Sequence, residues 1–445
     1  MTLSGGLTGA RGGGAPGTPG TPGTPVAGLG RLLPAGAGAP AGLGRHLEEH
    51  GPPPYGDGQG LIAAVEAAGL TGRGGAAFPT HRKLRAAAGA REAGQPPVVV
   101  ANGAESEPAS MKDKTLLAFC PHLVLDGLQL AAGAVGAREA YLYVHRDADL
   151  SRGLRDALAE RAAHCPDPVA VRLVEAPARF LAGEKTALAN RISGGAALPR
   201  YGWPPVSRSG VRGAPTLVQN VETLAHIALI ARHGPGWFRE LGTDAEPGSM
   251  ICTVHAEGGP PRVTEIAIGS PLDSVADLAI PATQAVLIGG YHGTWVPAIE
   301  APGLPLANAA LRPLGAALGA GVIAALPARR CGLAESASVA RYLALESAGQ
   351  CGPCLNALPR IASALAALAD LRPPPETGAN LLRWADLVEH RGACHHPDGT
   401  VRFVRSALVV FAHELAGHEA GRCGATDPAP FLPVPEVPPG NRDWK

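Results

Sequence analysis

Aromatic residues are scarce in this chain, and neither sign of charge is in excess. Phe, Trp and Tyr make up 4% of the 445 residues, and 38 basic residues balance 38 acidic ones. A balanced charge lacks the basic surface that nucleic acid or an anionic membrane requires, so we expect neither as a partner. No run of about 18 apolar residues occurs, so we expect no direct membrane insertion. The chain starts without a basic-then-apolar signal pattern, which predicts a cytoplasmic protein.

Cysteine is also uncommon, with eight residues, whereas glycine (60) and proline (44) are abundant. Cytoplasmic cysteines are reduced, so any clustering among them indicates metal binding rather than disulfides. Residues 1–45 are dominated by Gly, Pro, Ala and Thr and include a Gly-Thr-Pro repeat, which predicts a disordered extension. The proline-rich residues 426–445 are predicted to form a tail. The hydrophobic fraction of 46% favours a globular remainder.

Between these ends, short apolar runs alternate with helical patterns. The predicted strands are 97–102, 140–144 and 169–175, and the predicted helices between them are 123–135 and 150–163. This alternation favours an α/β fold with a parallel sheet and crossover helices. From about residue 249, short strands follow at turn-rich spacing, which predicts a small β-rich domain. The pattern from about residue 333 to 421 is helical.

One glycine-rich stretch stands out at residues 72–83. Glycines crowded around Arg73 let backbone N–H groups approach a phosphate closely, because a side chain there would clash. Phe78 then adds a flat apolar face, and Lys83 adds a point charge. This loop predicts one wall of a nucleotide or flavin phosphate site.

Three further segments carry polar residues at the kinds of position where α/β proteins bind ligands. Residues 102–108 continue directly from a predicted strand, and open α/β sheets bind ligands at that end of a strand. Residues 183–190 begin a helix with an acid and a base in its first turn. Residues 215–223 precede or begin another helix. The polar side chains in these segments are Asn102, Glu105, Glu107, Glu184, Lys185, Asn220 and Thr223.

Three of the cysteines fall into one pattern. Cys351 and Cys354 form a C-x-x-C motif, and Cys394 is followed by two histidines. Thiolates at this spacing bind zinc or an iron–sulfur cluster, and the alternative is structural packing. The other five cysteines stand singly, and we expect most of them to be small buried hydrophobic residues. They are Cys120, Cys165, Cys252, Cys331 and Cys423.

Five motifs in a single order make residues 61–415 resemble the flavin-binding, NADH-oxidising subunit of respiratory complex I and its relatives in bacterial hydrogenases and formate dehydrogenases. Residues 72–80 resemble G-R-G-G-A-G-F-P-T, and residues 102–108 resemble N-A-D-E-S-E-P. Residues 183–188 are similar to G-E-E-T-A-L, and residues 219–223 to N-N-V-E-T. Residues 346–354, with Cys394, are similar to E-S-C-G-x-C-x-P-C and its distant fourth cysteine.

The resemblance implies an α/β fold of three parts: an FMN-binding parallel-sheet domain (46–248), a ubiquitin-like β-grasp domain of the SLBB type (249–330) and a helical iron–sulfur domain (331–425). By position, FMN would be bound by Arg73, Gly74, Gly75, Lys83, Asn102, Glu105, Glu184, Asn220 and Thr223. A nicotinamide nucleotide would face Phe78, Glu107 and Lys185. Flavin takes a hydride and passes electrons on singly, so no catalytic side chain is expected.

Three positions depart from the family pattern. Lys185 replaces a glutamate, and its cation would favour the anionic reduced flavin, meet the phosphate of NADP, or point to water. Ala104 replaces an aspartate at the expected flavin site. Ala348 replaces the first cluster cysteine, leaving Cys351, Cys354 and Cys394. We therefore expect a [3Fe–4S] cluster, or a [4Fe–4S] cluster whose fourth ligand is His395, His396, Cys331, Asp398 or water.

These features predict an FMN- and iron–sulfur-dependent oxidoreductase of the NAD(P)H dehydrogenase type. Its electron partner would be a ferredoxin or another iron–sulfur protein. It would act alone or as a subunit of a larger complex, at the inner face of a membrane if a partner holds it there. One alternative is a non-catalytic scaffold subunit, and another is a zinc-stabilised binding module built on the same three cysteines and a histidine.

Overall fold

The computed structural model describes residues 28–34, 40–164, 166–202, 204–276, 278–437 and 443–445. Cys165 and most of the predicted disordered extension lie outside these ranges. The part of the extension that is described is packed: Leu32 is 1% exposed, and the backbone N–H groups of Arg31 and Leu32 donate to Glu265 at 2.9 and 2.8 Å. Residues 31–34 are therefore packed and residues 43–45 lie in a helix, contrary to the disorder predicted through residue 45.

A four-stranded parallel sheet organises the first half of the chain. Its strands are β1 (Val98–Gly103), β2 (Glu139–His145), β3 (Val171–Ala176) and β4 (Thr216–Asn220), in the spatial order β3-β2-β1-β4. The first four residues of β1 are buried, as expected for a central strand covered on both faces. The order reverses between β1 and β4, so their carboxyl ends form the topological switch point at which open α/β sheets bind ligands.

Eight helices surround this sheet within the described residues: α1 (Leu43–His50), α2 (Gly58–Ala68), α3 (Thr80–Glu92), α4 (Lys112–Phe119), α5 (Pro121–Val135), α6 (Ala148–His164), α7 (Lys185–Ile192) and α8 (Val221–Arg239). Helix α5 is buried almost throughout and packs closely on α8. At the crossing, a Cβ atom on Gly127 would lie 1.9 Å from the carbonyl oxygen of Leu224, so only glycine fits there.

None of the described helices is by itself long and apolar enough to cross a membrane. Helices α4 and α5 pass that test only when they are joined, and they meet at an angle of 97°.

The second unit is a five-stranded mixed sheet. Its strands are β5 (Ser249–His255), β6 (Arg262–Ala267), β7 (Thr283–Ile288), β8 (Thr294–Pro297) and β9 (Val322–Pro327), in the order β6-β5-β9-β7-β8, accompanied by the short helices α9 (Leu272–Ala276) and α10 (Asn308–Leu311). The first and last strands, β5 and β9, are parallel neighbours at the centre. This strand order is that of a β-grasp fold. Strands β8 and β9 were not predicted from the sequence.

The third unit is helical, as predicted, and comprises α11 (Gly332–Leu345), α12 (Leu358–Ala369), α13 (Thr377–Val388), α14 (His396–Val410) and α15 (Ala412–Glu419). Of the described residues beyond it, which the sequence predicts to form a tail, several pack against this unit. The N–H groups of Phe431 and Leu432 donate to Glu335 at 2.8 and 3.0 Å. Near the end of the chain, Trp444 is 8% exposed and stacks under the guanidinium of Arg179.

Candidate functional site

Two asparagines mark the switch point of the parallel sheet. Asn102 lies near the end of β1 and Asn220 ends β4, and the two residues are direct partners in the parallel register. The Asn102 side chain donates to the carbonyl of Gly183 at 3.0 Å, which holds the segment before α7 against the sheet. The Asn220 side chain accepts the N–H of Glu222 at 3.0 Å and so caps α8. These predicted site residues therefore form the floor of one crevice.

The glycine-rich loop closes over this crevice. Gly72 donates to the carbonyl of Phe78 at 2.9 Å, which folds residues 72–79 into a tight loop ahead of α3. A Cβ on Gly74 would come within 3.3 Å of the Asn220 Cβ, so the loop lies directly against the switch point. Gly75 has φ of +100°, a conformation that favours glycine. Phe78 is 45% exposed, so its ring is open to a ligand at the rim.

Arg73 has a different role from the predicted one. Its guanidinium is buried and donates to the carbonyls of Ser249, Thr71 and Pro247 and to the Thr71 hydroxyl, at 2.8–3.3 Å. Its backbone N–H donates to the Thr223 hydroxyl at 2.9 Å. Arg73 and Thr223 therefore fix the loop to α8 and to the β-grasp unit, and the guanidinium does not face the crevice.

Two cations converge at the open side of the crevice. The Lys83 Nζ lies 3.3 Å from the carbonyl of Val218, and burial together with the nearby charge of Lys185 lowers the pKa of Lys83. Lys185 begins α7 and is exposed. Neither ammonium forms an ion pair with any residue in the described part of the chain. Two neighbouring cations without a carboxylate fit an anionic ligand such as the phosphate of FMN or of a nucleotide.

The predicted carboxylates are held by the protein itself. Glu184 caps α7 by accepting the N–H groups of Thr186 and Ala187 at 2.8 and 3.1 Å. Glu105 accepts the N–H groups of Asp113 and Lys114 at 3.1 and 3.0 Å at the start of α4, and burial raises its pKa. Both residues therefore shape the walls of the crevice through the helices that they cap.

Glu107 joins the sheet domain to the β-grasp unit. Its carboxylate accepts the N–H of Tyr291 at 2.7 Å and that of Ala109 at 3.3 Å. A Cβ on Gly290 would lie 2.5 Å from the Glu107 Oε2, so glycine is needed at this contact. Burial raises the pKa of Glu107 to about 7. The sequence predicts a nucleotide contact for this residue, and in the structure its carboxylate holds the backbone at Tyr291 and Ala109.

A buried charge network behind Asn220 was not among the predicted site residues. The Lys112 Nζ contacts Asp113 at 2.7 Å, Glu222 at 2.8 Å and the Asn220 Oδ1 at 3.4 Å. The Asn220 amide in turn donates to the Asp113 Oδ2 at 2.7 Å. This network sets the orientation of the Asn220 amide. Lys112, Asp113 and Glu222 lie within or next to two of the sequence motifs. That position in the sequence could have identified them as site residues.

Cys351 and Cys354 lie in the turn before α12, and Cys394 lies just before α14. Cys351 and Cys394 both act electrostatically on Cys354. Cys351 and Cys354 contact each other, and burial together with the neighbouring thiols raises the pKa of Cys354 to about 12. The backbone N–H of Gly349 points at Cys354, and that of His396 points at Cys394. These three sulfur atoms do not all lie within 4.8 Å of one another.

The structure narrows the choice of a fourth cluster ligand. His396 is 2% exposed, and its two ring nitrogens lie 2.9 Å from the Leu343 carbonyl and 3.1 Å from His292, so both are engaged. Cys331 belongs to a separate group around Glu414. Both residues were candidates, and neither is available.

His395 and Asp398 lie near Cys394. The side chain of His395 is 97% exposed, with its Nδ1 3.7 Å from the Asp398 Oδ2. The charge of Asp398 acts on the Cys394 thiol. The candidates for a fourth ligand are therefore these two residues and water.

The crevice and the cysteines are adjacent. Burial raises the pKa of the Cys394 thiol, and the charge of Glu184 raises it further, so the first turn of α7 lies beside the cluster position. Just before α7, the N–H of Phe180 donates to Glu346 at 2.7 Å, and Arg179 forms a buried ion pair with Glu346 at 3.0 Å. The segment that leads into α7 therefore connects the crevice wall to the end of α11.

Comparisons with known proteins agree with this geometry. Residues 65–229 match the Nuo51 FMN-binding domain, and residues 334–418 match the iron–sulfur binding region of NADH-ubiquinone oxidoreductase F. The second F-type subunit of the Rhizobium meliloti NADH-quinone oxidoreductases is 28% identical over 384 residues, which is 82% of this chain and 90% of that protein. The Streptomyces coelicolor F-type subunit is 27% identical over 387 residues, which is 83% of this chain and 85% of that protein.

Solved structures show the same likeness. The NAD+-reducing [NiFe]-hydrogenase in its air-oxidized state superposes with a TM-score of 0.75 and 30% identity, covering 84% of this chain and 65% of the hydrogenase chain. The H2-reduced state gives a TM-score of 0.74 and 28% identity, covering 83% of this chain and 63% of that one. This chain thus spans slightly less than two thirds of the hydrogenase chain that it matches.

Proposed function

Because this chain belongs to the family of flavin-binding F-type subunits of NADH-quinone oxidoreductases, we propose that it oxidises a reduced nicotinamide nucleotide with the help of FMN and an iron–sulfur cluster. The observation that carries the proposal is the adjacency of two features. Lys83 and Lys185, which have no anionic partner in the described residues, lie in the same crevice wall as Glu184, whose charge acts on Cys394.

FMN would be bound at the switch point by Gly74, Gly75, Lys83, Asn102 and Asn220. The loop glycines allow close approach of the backbone, Lys83 meets the phosphate, and the two asparagines present amides of fixed orientation. When bound, FMN accepts a hydride as an electron pair and gives up electrons one at a time. The protein's own contribution is binding and orientation, with Glu105, Glu184, Arg73 and Thr223 supporting the walls.

The nicotinamide nucleotide would enter at the rim, where Phe78 and Lys185 are exposed. The ring of Phe78 offers a stacking surface, and Lys185 offers a cation to the phosphates. Lys185 stands where the family pattern has a glutamate, so this chain repels the nucleotide phosphates less. We propose that it accepts NADPH as well as NADH, with Lys185 favouring the additional phosphate. Glu107 would affect nucleotide binding indirectly, because it holds the turn at Tyr291, which borders the rim.

The cluster would be held by Cys351, Cys354 and Cys394, with water, His395 or Asp398 at the remaining position. The backbone N–H groups of Gly349 and His396 favour the thiolate forms that ligation requires. The electron partner would be another iron–sulfur protein, because the named relatives are subunits of multi-subunit oxidoreductases and hydrogenases. Peripheral attachment to a membrane would then come from that partner.

Cofactor analysis of the anaerobically purified chain tests this proposal. We expect about one FMN per chain, together with iron and acid-labile sulfide in a ratio near one. A protein that binds FMN and iron but leaves both oxidised in the presence of NADH and NADPH would instead be a scaffold subunit. A colourless protein that holds zinc at Cys351, Cys354 and Cys394 would contradict the electron-transfer proposal.

A further inference from the structure

Two cysteines that the sequence treats as isolated meet in the helical unit. Cys331 precedes α11 as its N-cap residue, is 8% exposed, and its Sγ accepts the N–H of Ala334 at 3.3 Å. Cys423 lies beyond α15 and is exposed. With His418 from the last turn of α15, their ligand atoms all lie within 4.8 Å of one another. Within the described residues, this is the one group of three that is so closely spaced.

Local structure brings Cys423 to this position. Helix α15 ends at Glu419, and Gly421 follows with φ of +71°. Gly421 donates to the carbonyl of His418 at 3.0 Å, and Arg422 donates to that of Gly417 at 2.9 Å. These bonds reverse the chain at the helix end, as in a glycine C-cap motif. The residue after the turn, Cys423, is thereby directed back towards Cys331.

Hydrogen bonds fix the orientation of two side chains in this group. The Nδ1 of His418 lies 2.9 Å from the carbonyl of Leu368, so it carries the proton and leaves the Nε2 lone pair free to face Cys331. Glu414 accepts the N–H groups of Gly332 and Leu333 at 3.1 and 3.0 Å, and its Oε2 lies 3.3 Å from the Cys331 Sγ. The Glu414 carboxylate is thus held in place, and it orients the Cys331 thiol. Glu414 is not one of the three residues whose ligand atoms are closely spaced.

The spacing matches tetrahedral zinc. Zinc–sulfur bonds of about 2.3 Å and zinc–nitrogen bonds of about 2.0 Å place sulfur and nitrogen ligands about 3.5 Å apart at a tetrahedral angle. The Cys331 Sγ and the His418 Nε2 are 3.5 Å apart. Two thiolates also neutralise the charge of one divalent cation.

We propose that Cys331, His418 and Cys423 bind one zinc ion, with water at the fourth position on the exposed side of Cys423. The site is separate from the cluster cysteines. It links the start of α11 to the end of α15. Soft sulfur with imidazole favours zinc over calcium or magnesium, which prefer oxygen ligands.

Zinc and iron are counted separately by inductively coupled plasma mass spectrometry on the anaerobically purified full chain. We expect one zinc per chain, lost in Cys423→Ser and in His418→Gln, with iron and flavin unchanged. Cys120→Ser is the matched control, because Cys120 is a partly buried cysteine far from this group in the sequence, and it should retain zinc. In the unaltered chain, Co2+ should produce the visible absorption of a tetrahedral thiolate site, a readout that requires no variant to fold.

Three results would overturn the proposal. One is a chain that neither contains zinc nor acquires it when zinc chloride is added. Another is zinc that persists in Cys423→Ser but disappears in Cys354→Ser, which would place the metal at the cluster cysteines. The third is a Cys331–Cys423 disulfide in the protein purified without oxygen, detected by thiol counting and peptide mapping.

Discussion

The charge of Lys185 acts on Lys83, whose pKa is lowered chiefly by burial and further by this second cation, and neither side chain has an anionic partner in the described residues. The two lysines are separated by about one hundred positions in the sequence and belong to different helices, α3 and α7. A like-charge pair of this kind destabilises the empty protein and favours a bound phosphate.

Replacing Lys83 by methionine should weaken FMN binding by about tenfold or more, because a partly buried charge-assisted contact is lost. Lys185→Met should weaken FMN binding less than Lys83→Met does, since Lys185 is exposed. It should raise the KM for NADPH more than the KM for NADH. Flavin fluorescence titration and steady-state kinetics measure these effects. Arg85→Met is the control on the same helix, because Arg85 pairs outside the crevice with Glu66. Equal FMN affinity in Lys83→Met and Arg85→Met would contradict the assignment.

Glu107 should make the stability of the protein depend on pH between about 4.5 and 7. A buried carboxyl group whose pKa is raised to about 7 stays protonated in the folded chain at pH values where the unfolded chain has lost the proton. Stability from this residue is therefore present at low pH and falls as pH rises through this window, by up to roughly 3 kcal/mol.

Urea denaturation of the wild type and of Glu107→Gln across this window measures the effect. The difference between their unfolding free energies should shrink as pH rises towards 7, since glutamine does not titrate. The exposed Glu48 provides a control, because Glu48→Gln should track the wild type at every pH. A Glu107→Gln profile that parallels the wild type would show that Glu107 titrates normally.

Replacing Ala348 by cysteine should restore a four-cysteine set, because Ala348 occupies the position of the missing ligand and is close in sequence to Cys351. We expect the iron content to rise towards four per chain, and the reduced protein to give the electron paramagnetic resonance signal of a [4Fe–4S] cluster. Ser347→Cys places a thiol one residue away and should leave the spectrum of the wild type unchanged. Identical spectra in Ala348→Cys and the wild type would mean that residue 348 does not face the cluster.

Gly127→Ala should destabilise the sheet domain strongly, by about 3 kcal/mol or more, because the added methyl group would overlap the Leu224 carbonyl oxygen. Gly133→Ala on the same helix meets no neighbouring atom and should be neutral or stabilising by about 0.5–1 kcal/mol. Thermal denaturation followed by circular dichroism compares the two. Similar melting temperatures for both variants would contradict the tight α5–α8 crossing.

Local patterns predicted much of the fold and of the site. The apolar runs at 97–102 and 140–144 became neighbouring parallel strands. Asn102, at the end of the first run, meets Asn220 of β4 at the switch point, because parallel strands share a carboxyl edge. Cys351, Cys354 and Cys394, which were predicted from their spacing, act electrostatically on one another. In each case the structural feature depends on a short sequence pattern, so it could be predicted without knowing which distant segments pack together.

What the sequence did not reveal depends on contacts between distant segments. Arg73 lies in the predicted phosphate loop, yet its guanidinium reaches Ser249, 176 positions away. Leu432 lies in a proline-rich segment that has no periodicity, yet Glu335 accepts its N–H from 97 positions away. Cys331 and His418 are 87 positions apart. Neither composition nor periodicity encodes these pairings, because they follow from tertiary packing between segments that are distant in the sequence.

Electrons taken from a nucleotide in this crevice should pass to the cysteine cluster beside it. Anaerobic stopped-flow spectroscopy of the protein containing FMN and iron, mixed with NADH or NADPH, follows both groups at once. We expect flavin bleaching at a rate that rises with nucleotide concentration, accompanied or followed by bleaching of the cluster absorbance. At a limiting FMN concentration, Lys83→Met should show less bleaching of both groups because it binds less FMN. If neither nucleotide bleaches the flavin, in protein whose spectrum shows that FMN and cluster are present, then nucleotide oxidation at this site is refuted.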